Sequence, residues 1–205
     1  MPQPVGVVLA GGLGTRYGSP KGTVLWHGKT LAERAAAALR PQCGSVLISI
    51  APESTLRVEG YDHVVDALPE GRGPLAGLAA AYEASAGSDL LVLACDYPLV
   101  DAPWLGALLD AGRTDADLVM PTEPRGVDHP LVGLWRRTAQ PAVVAALAEN
   151  RRRVRSVLPD LDVHRVPAAV LPAPPWPEER LRNVNRPEDW EGIGEHEAAA
   201  DEAPG

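Results

Sequence analysis

The sequence of 205 residues contains no phenylalanine, and its two cysteines are Cys43 and Cys95. This pair matches neither the clustered spacing of a zinc site nor the dense cysteine framework of a small secreted domain. We therefore expect free thiols in a reducing, cytoplasmic compartment. The sequence also lacks a run of about 18 apolar residues, and it does not begin with a charged, apolar leader. It predicts neither a membrane-spanning helix nor a signal peptide.

The sequence also has no excess of basic residues: 19 Lys and Arg stand against 27 Asp and Glu, and the formal net charge is −8. An acidic chain is a poor partner for nucleic acid or for an anionic membrane. Hydrophobic residues make up 45% of the chain, which is enough to form a core. We expect one domain over residues 1–194 and a disordered tail over 195–205, because the tail is mostly Ala, Glu and Asp.

Acidic residues are absent from residues 1–30, which hold three basic residues, Arg16, Lys21 and Lys29. Removing that +3 from the total of −8 leaves −11 for residues 31–205. Within the acid-free stretch, the apolar run Val5–Leu9 leads into a loop with four glycines that ends at Lys21. Glycines let backbone N–H groups curl closely around an anion, and basic side chains add positive charge. This combination predicts a polyphosphate-binding loop, and the alternative is a tight turn between a strand and a helix.

Two common phosphate-binding motifs do not fit this region. A P-loop needs four residues between its first glycine and Gly-Lys-Ser/Thr, but five residues separate Gly22 from Gly28-Lys29-Thr30. A dinucleotide fingerprint needs G-x-G-x-x-G, whereas Gly12, Gly14 and Gly18 are spaced with one residue too many. Neither motif explains the loop.

The stretch from Leu9 to Lys21 instead fits the pattern L-A-G-G-x-x-x-R-x-G-x-x-K. This pattern resembles the signature loop of nucleotidyltransferases that join an NTP to a phosphate-bearing acceptor. Within that superfamily the chain is most similar to the molybdenum cofactor guanylyltransferases, the MobA family, over most of its length. The resemblance implies that Arg16 and Lys21 neutralise the phosphates in catalysis. It also implies a nucleotide-binding role for the residues that open the loop, namely Leu9, Ala10, Gly11 and Gly12.

Apolar runs alternate with helical patterns along the chain. Strands are predicted at Val5–Ala10, Val46–Ile50, His63–Val65, Leu90–Ala94, Leu118–Met120, Leu131–Trp135 and Val163–Val166. Helices are predicted at Leu31–Arg40, Leu75–Ala86, Pro103–Ala111, Ala139–Glu149 and Arg153–Leu158. This order predicts a three-layer α/β/α fold with a mostly parallel, Rossmann-like sheet, similar to the nucleotide-diphospho-sugar transferases. Ligands of such sheets bind at the carboxyl ends of the strands.

Asp96 follows the all-apolar stretch Leu90–Ala94, which is typical of a strand buried on both faces. A carboxylate at that position faces the ligand crevice, and Mg²⁺ prefers one or two carboxylates together with phosphate oxygens. We therefore expect Asp96 to hold Mg²⁺, to contact the nucleotide and to act in catalysis. The alternative is that Asp96 caps the turn before the helix that starts at Pro103. Cys95-Asp96-Tyr97-Pro98 also matches a C-D-x-P segment of the similar family.

A second group of candidates combines Asp66, at a strand end, with Gly73-Pro74-Leu75-Ala76-Gly77, at a helix start. Free N–H groups at a helix N-terminus can donate to a ligand, and glycine lets a flat base lie close. In the similar family the matching G-P-L-A-G loop holds the guanine nucleoside. The resemblance places Gly73, Pro74 and Leu75 at the base and Asp66 at the nucleoside edge. The alternative is a proline-started helix with a glycine hinge.

The acceptor side is predicted from two further matches. Asn183-Val184-Asn185 resembles an N-x-N segment of the family, and on an extended strand both Asn side chains share one face. Their carbonyl groups can support Mg²⁺ or the acceptor phosphate, or they can stabilise a loop. Asp128-His129-Pro130 matches an H-P step, so that His129 either contacts the pterin acceptor or orders its own loop.

The chain departs from the family pattern at three places. Ser49 occupies a position near which the family often has an Asn that contacts the base. Arg186 replaces the Thr that usually follows the N-x-N segment. Glu149-Asn150 replaces a Gly-Glu pair before Arg151–Arg153, a run that we interpret as a solvated basic helix end.

Taken as a whole, the resemblance implies Mg²⁺-dependent transfer of GMP from GTP to the terminal phosphate of molybdopterin. A phosphate monoester is already a nucleophile, so catalysis requires positioning and charge neutralisation rather than a Ser, Cys or His nucleophile. The alternatives are a molybdopterin cytidylyltransferase, a sugar-1-phosphate nucleotidyltransferase, or a nucleotide-binding regulatory protein with a degenerate site. The resemblance further implies transient contact with molybdenum cofactor insertion proteins or apo-molybdoenzymes.

Overall fold

The computed structural model describes residues 3–11, 21–66, 73–172, 180–190 and 193. Within these ranges the strands are β1 (Val5–Leu9), β2 (Leu25–Trp26), β3 (Lys29–Thr30), β4 (Ser45–Ile50), β5 (Asp62–Val65), β6 (Leu90–Ala94), β7 (Leu118–Thr122), β8 (Val132–Trp135) and β9 (Val163–Pro167). The α-helices in the same ranges are α1 (Leu31–Leu39), α2 (Pro74–Ala84), α3 (Ala102–Ala111) and α4 (Gln140–Ala148). The expected tail over 195–205 lies outside the described residues, as do Gly12 and Arg16 of the glycine-rich loop.

Seven of these strands form one sheet in the order β5-β4-β1-β6-β8-β7-β9. β5, β4, β1 and β6 run parallel, and β9 is parallel to β7. β8 is antiparallel to both β6 and β7, because the chain folds back directly after β7 through a bridge between Thr122 and Asp128. The predicted mostly parallel α/β sheet is confirmed. The reversed direction of β8 was not predicted, since an apolar run carries no information about strand direction.

Helices cover both faces of the sheet and make three layers. A Cβ atom at Gly6 would meet Leu39 of α1 at 3.3 Å, whereas the Leu9 side chain lies 3.0 Å from the Cβ position of Gly77 in α2. Because alternate strand residues point to opposite faces, α1 and α2 lie on opposite sides of β1. α3 packs with α1 and α4 packs with α2. All five residues of β6 are buried between these layers, as their apolar run predicted.

A short hairpin of β2 and β3 precedes α1 and was not predicted. Its turn uses His27 at φ 47° and Gly28 at φ 74°, a left-handed backbone that two-residue hairpin turns require. Thr30 then caps α1, accepting from the N–H of Glu33 while the Glu33 carboxylate accepts from the N–H of Thr30. The Gly28-Lys29-Thr30 triplet is therefore a turn followed by a strand and a cap, which agrees with its exclusion as a P-loop.

Two predicted elements are wrong in detail. The helix expected over Arg153–Leu158 is a pair of 3₁₀ turns, Val154–Ser156 and Leu158–Asp160, because Pro159 lacks the N–H that would continue a helix. The segment Asn183-Val184-Asn185 is not a strand, and it runs irregularly beside the end of β6. No helix among the described residues is both long and apolar enough to cross a membrane.

Candidate active site

The candidate site lies where four parallel strands end at one edge of the sheet. Leu9 ends β1 and is in register with Ser49 of β4 and with Ala94 of β6, so the residues that follow all three strands meet there. Asp66 follows β5 directly, and its N–H donates to the carbonyl of Ile50 at 3.1 Å. These strand ends line one cavity. The position agrees with the rule that ligands of α/β sheets bind at the carboxyl ends of strands.

Lys21 connects two of the predicted functional residues. Its Nζ atom donates to Oδ2 of Asp96 at 3.2 Å and to Oδ1 of Asn185 at 2.5 Å. The Lys21 and Asp96 side chains are 16% and 20% exposed, so that solvent reaches the pair from one side. The Val184 N–H donates to the Asp96 carbonyl at 2.8 Å, which ties the Asn183–Asn185 segment to the turn after β6. One lysine, one carboxylate and one amide oxygen thus form a compact polar cluster, called here the Lys21 cluster.

The Asp96 carboxylate carries a free acceptor within this cluster. Its Oδ1 atom is buried and has no hydrogen-bond partner among the described residues. Burial raises the pKa of the Asp96 carboxyl, and the Lys21 ammonium opposes that rise. Asp96 does not cap α3, because the cap is Asp101, which accepts from the N–H of Trp104 at 3.0 Å. The cap of α3 is therefore Asp101 and not Asp96.

The oxygen atoms of this cluster are too few to hold a hard divalent cation by themselves, and they fit one only when phosphate oxygens supply the remaining ligands. No group of three or more His, Cys, Asp or Glu side chains that could hold a metal exists among the residues that the structure describes. An unpartnered carboxylate oxygen beside an amide oxygen is nevertheless what Mg²⁺ uses when phosphate oxygens and water provide its remaining ligands. The residues present fit a metal that enters together with a polyphosphate.

A second polar pair lies deeper in the same cavity. Ser49 donates through Oγ to Oδ1 of Asp66 at 2.8 Å, and the two residues are 1% and 6% exposed. Burial raises the pKa of the Asp66 carboxyl, and the Ser49 hydroxyl opposes that rise. An ionised carboxylate has about four lone-pair sites for hydrogen bonds. Because Ser49 occupies one of them, the Asp66 carboxylate can still accept further hydrogen bonds. Asp66 is therefore able to accept from the N–H or O–H groups of a ligand.

Glycines keep this pair accessible. A Cβ atom at Gly77 would lie 2.5 Å from Ser49 Oγ and 3.2 Å from Asp66 Oδ1. A Cβ atom at Gly11 would lie 3.1 Å from Asp66 Oδ2. Any larger residue at either position would fill the space over the carboxylate, so the two glycines shape this part of the cavity.

Position 73, just before α2, requires a glycine. Gly73 has φ 76°, and a Cβ atom there would lie 2.9 Å from the carbonyl oxygen of Arg152. Gly73 and Pro74 line the cavity, and Gly73 gives α2 no side-chain cap. The Leu75 side chain is fully buried in the core and does not line the cavity, so the structure does not bring that side chain to the base position. Ala10 is likewise buried and absent from the lining.

The predicted acceptor residues lie in different surroundings. His129 is 7% exposed, and both of its ring nitrogens have protein partners: Nδ1 is 3.2 Å from Tyr97 Oη, and Nε2 is 2.8 Å from Glu123 Oε1. Asn183 is exposed, whereas Asn185 is half-buried beside Lys21. The predicted arrangement of the two Asn side chains on one face of a strand does not exist, since no strand forms there.

Two contacts at the site could not be predicted from the sequence. The Asn185–Lys21 bond joins residues 164 positions apart, and no local pattern could have indicated it. The carbonyl oxygen of Arg152 lies close to Gly73, 2.9 Å from where a Cβ atom would be, whereas Arg151 pairs with Asp160 and Glu149 at 2.6 and 2.8 Å. Cys95 lines the cavity, but burial raises the pKa of its thiol to about 12, which makes it a poor nucleophile.

The ends of a mostly parallel sheet bring a lysine, a carboxylate with one unpartnered oxygen and several glycines together around one cavity. This arrangement is that of an α/β enzyme that binds nucleoside phosphates. Residues 6–166 match the model of the MobA-like NTP transferase domain. This match covers most of the chain, and the chain belongs to that family. It is a nucleotidyltransferase.

Individual relatives agree with this assignment. The chain is 34% identical to the probable molybdenum cofactor guanylyltransferase of Bacillus subtilis (strain 168), over 93% of this chain and 94% of that protein. The fold is similar to molybdopterin-guanine dinucleotide biosynthesis protein A of Archaeoglobus fulgidus, with a TM-score of 0.76, 22% identity and coverage of 95% and 99%. It is also similar to the manganese complex of Rv0371c from Mycobacterium tuberculosis H37Rv, with a TM-score of 0.58, 19% identity and coverage of 93% and 97%.

Proposed function

We propose that this protein transfers GMP from GTP to the terminal phosphate of molybdopterin and releases pyrophosphate. The name of the Bacillus subtilis relative, at 34% identity over nearly the whole of both chains, supports this substrate pair. The observation that carries the proposal is that Lys21 and Asp96 line the same cavity as the Ser49–Asp66 pair. This arrangement provides positive charge for phosphates at one end and a hydrogen-bond acceptor for a nucleoside at the other.

Lys21 has the central role in the chemistry of the phosphates. Its ammonium lies in a half-buried position at the strand ends, where a charge is screened less than in bulk water. Negative charge grows on the pyrophosphate as the bond to the α-phosphorus breaks, and a fixed cation stabilises that growing charge. Arg16, outside the described residues, is proposed to add a second positive charge, and the backbone amides from Gly11 to Gly14 are proposed to cradle the phosphates.

Asp96 and the amide oxygen of Asn185 are the residues that would hold a divalent cation, which we propose to be Mg²⁺. When bound, that cation would neutralise phosphate charge, as hard cations do in phosphoryl transfer. The buried, unpartnered Oδ1 atom of Asp96 supports this role. The acceptor itself supplies the attacking oxygen, so the chain needs no protein nucleophile.

The nucleoside is proposed to lie between Asp66 and the start of α2. Asp66 accepts hydrogen bonds from N–H or O–H groups, and the backbone of Gly73, Pro74 and Leu75 meets the edge of the base. Guanine and adenine present opposite donor and acceptor groups at the six position, so a backbone that pairs with one leaves the other unpaired. Ser49 in place of the family's Asn removes one candidate base contact, which favours weaker discrimination among bases.

The acceptor is proposed to bind beside the Lys21 cluster, near Asn183 and Asn185. Asn183 is exposed there and Asn185 already faces Lys21. A direct acceptor contact by His129 stays a prediction, and it would require the ring to give up one of its two protein partners. Transient contact with proteins that receive the product also stays a prediction.

The test is release of pyrophosphate with each of the four NTPs, with and without molybdopterin. We expect release with GTP only when molybdopterin is present, and none when Asp96→Asn replaces the wild-type protein. Equal or better use of CTP would replace the proposal with a molybdopterin cytidylyltransferase. GTP binding without release in the presence of any acceptor would indicate a nucleotide-binding regulatory protein instead.

A further inference from the structure

Among the described residues, three hydrogen bonds besides the Lys21–Asp96 contact attach the turn that carries Asp96 to its surroundings. The Cys95 N–H donates to the Leu9 carbonyl at 3.2 Å, and the Asp96 carbonyl accepts from the Val184 N–H at 2.8 Å. Both of these are backbone bonds. The third attachment is made by a side chain, because the hydroxyl of Tyr97 lies 3.2 Å from Nδ1 of His129.

The contact between Tyr97 and His129 is buried and supported by further contacts. Tyr97 and His129 are 9% and 7% exposed, and their rings pack edge to face with centroids 5.7 Å apart. The other ring nitrogen of His129 is 2.8 Å from Oε1 of Glu123, and the His129 N–H donates to the Pro121 carbonyl at 3.2 Å. The histidine is therefore held by β7 and its following loop, through a side chain and through its backbone.

We propose that His129 is a positioning residue that acts through Tyr97 on the Asp96 carboxylate. Asp96 directs its side chain to Lys21, whereas the next residue, Tyr97, directs its ring to His129. A displacement of the Tyr97 ring therefore moves the turn and changes where the carboxylate points. The inference rests on the proposed role of Asp96 and assigns a task to His129 that does not involve touching the acceptor.

The size of the effect follows from the geometric demands of group transfer. Misplacing a reacting or charge-stabilising group by about 1 Å costs on the order of 10²-fold in rate. Loss of the Tyr97–His129 bond allows a smaller displacement, because the two backbone bonds and the Lys21–Asp96 contact remain. We therefore expect a loss of about tenfold in kcat.

The experiment compares Tyr97→Phe, which removes one hydroxyl, with His129→Ala and with the double variant. Tyr82→Phe is the matched control, because the Tyr82 hydroxyl is also buried and bonds to the Arg136 carbonyl at 2.7 Å, away from Asp96. Binding of Mn²⁺ in the presence of a non-reacting GTP analogue is measured by electron paramagnetic resonance, without turnover. The kcat and the KM for molybdopterin are measured separately, and thermal unfolding reports on the fold.

We expect Tyr97→Phe and His129→Ala to weaken Mn²⁺ binding severalfold and to lower kcat about tenfold, with no change in the KM for molybdopterin. The double variant should be no worse than either single variant, because both break the same link. His129→Asn, which keeps a polar group near the position of Nδ1, should recover part of the loss. Tyr82→Phe should change only the unfolding temperature.

Wild-type values for both Mn²⁺ binding and kcat in Tyr97→Phe would overturn the inference. A rise in the KM for molybdopterin in His129→Ala with a silent Tyr97→Phe would also overturn it and would make His129 an acceptor contact. If the wild-type protein transfers no nucleotide at all, the proposed function fails, yet weaker Mn²⁺ binding in Tyr97→Phe would still support the positioning role. The two failures are therefore distinguishable.

Discussion

The Nζ atom of Lys21 lies 3.2 Å from Oδ2 of Asp96, a residue 75 positions further along the chain. Lys21 follows the glycine-rich loop, and Asp96 follows the central strand β6. The parallel order of β1 and β6 brings these two strand ends together. The positive charge of the loop and the single carboxylate of the turn therefore belong to one site.

Replacement of Lys21 by Ala should lower the turnover number about 10²-fold at saturating GTP, which is the scale of losing one preorganised electrostatic stabiliser. The reason is that the ammonium stabilises charge on the leaving pyrophosphate more than it stabilises bound GTP. Steady-state rates of pyrophosphate release measure the effect. Lys29→Ala is the control, because it removes the same charge from an exposed position on β3. Near wild-type turnover in Lys21→Ala would show that Lys21 is a surface residue without a catalytic role.

Replacement of Asp96 by Asn should leave the fold intact and abolish the Mg²⁺-dependent turnover. Asn keeps the shape and one carbonyl oxygen, but it lacks the charge that Mg²⁺ favours. Circular dichroism checks the fold, and the rate is titrated against Mg²⁺. Asp101→Asn is a matched control with the same change of charge, since Asn also serves as a helix cap. If Asp96→Asn keeps the wild-type midpoint for Mg²⁺, the metal is held elsewhere.

Asp66 should make the stability of the protein depend on pH in a defined direction. Because burial raises its pKa in the folded state, the folded protein holds this proton more tightly than the unfolded chain. Its contribution is therefore most favourable below the ordinary carboxyl pKa of 3.8 and is lost as the pH rises through the higher folded value. Asp66→Asn does not titrate and should be more stable than wild type at pH 7.5.

Urea unfolding of wild type and Asp66→Asn at about pH 4 and at about pH 7.5 checks this prediction. The advantage of the variant should shrink or vanish at the lower pH, and its affinity for GTP should fall at both. The side-chain carbonyl of Asn can still accept the hydrogen bond from Ser49, so the variant and the wild type differ in the ionisable group and not in this bond. A difference in the free energy of unfolding that is the same at both pH values would contradict the account.

Gly77→Ala should weaken nucleotide binding without unfolding the protein. The added methyl group would lie 2.5 Å from Ser49 Oγ and so would intrude on the pair that faces the nucleoside. The expected result is a higher dissociation constant for GTP, measured by calorimetry. Gly106→Ala is the control, since it is also a helical glycine and its new methyl group would meet the flexible side chain of Gln42. Equal GTP affinity in the two variants would place the nucleoside away from Gly77.

The order of elements and the strand-end residues could be predicted because they depend on local patterns. Apolar runs and proline or glycine boundaries indicated β1, β6 and α2 within one or two residues of their observed ends. Asp66 and Asp96 were recognisable because each is an acid next to a strand end: Asp66 directly follows β5, and Asp96 lies two residues after the apolar β6. The β2–β3 hairpin was missed because two-residue strands are too short to show alternation.

Contacts between distant segments could not be predicted in the same way. Asn185 reaches Lys21 because Val184 pairs with the turn after β6, which is a feature of tertiary packing. His129 was left between two roles, since a sequence does not show that Tyr97 and Glu123 occupy both ring nitrogens. Leu75 was assigned to the base because it belongs to the G-P-L-A-G segment that resembles the family's guanine-binding loop, but its side chain is buried in the core.

The most direct test of the central claim follows the phosphorus atoms of GTP. The purified protein is incubated with molybdopterin, Mg²⁺ and GTP that is labelled either at the α-phosphorus or at the γ-phosphorus, and the products are separated by chromatography. The account predicts that the α-label moves to a molybdopterin guanine dinucleotide and that the γ-label appears in pyrophosphate. An unlabelled pterin product, or label from CTP transferred in preference to label from GTP when both compete, would contradict it.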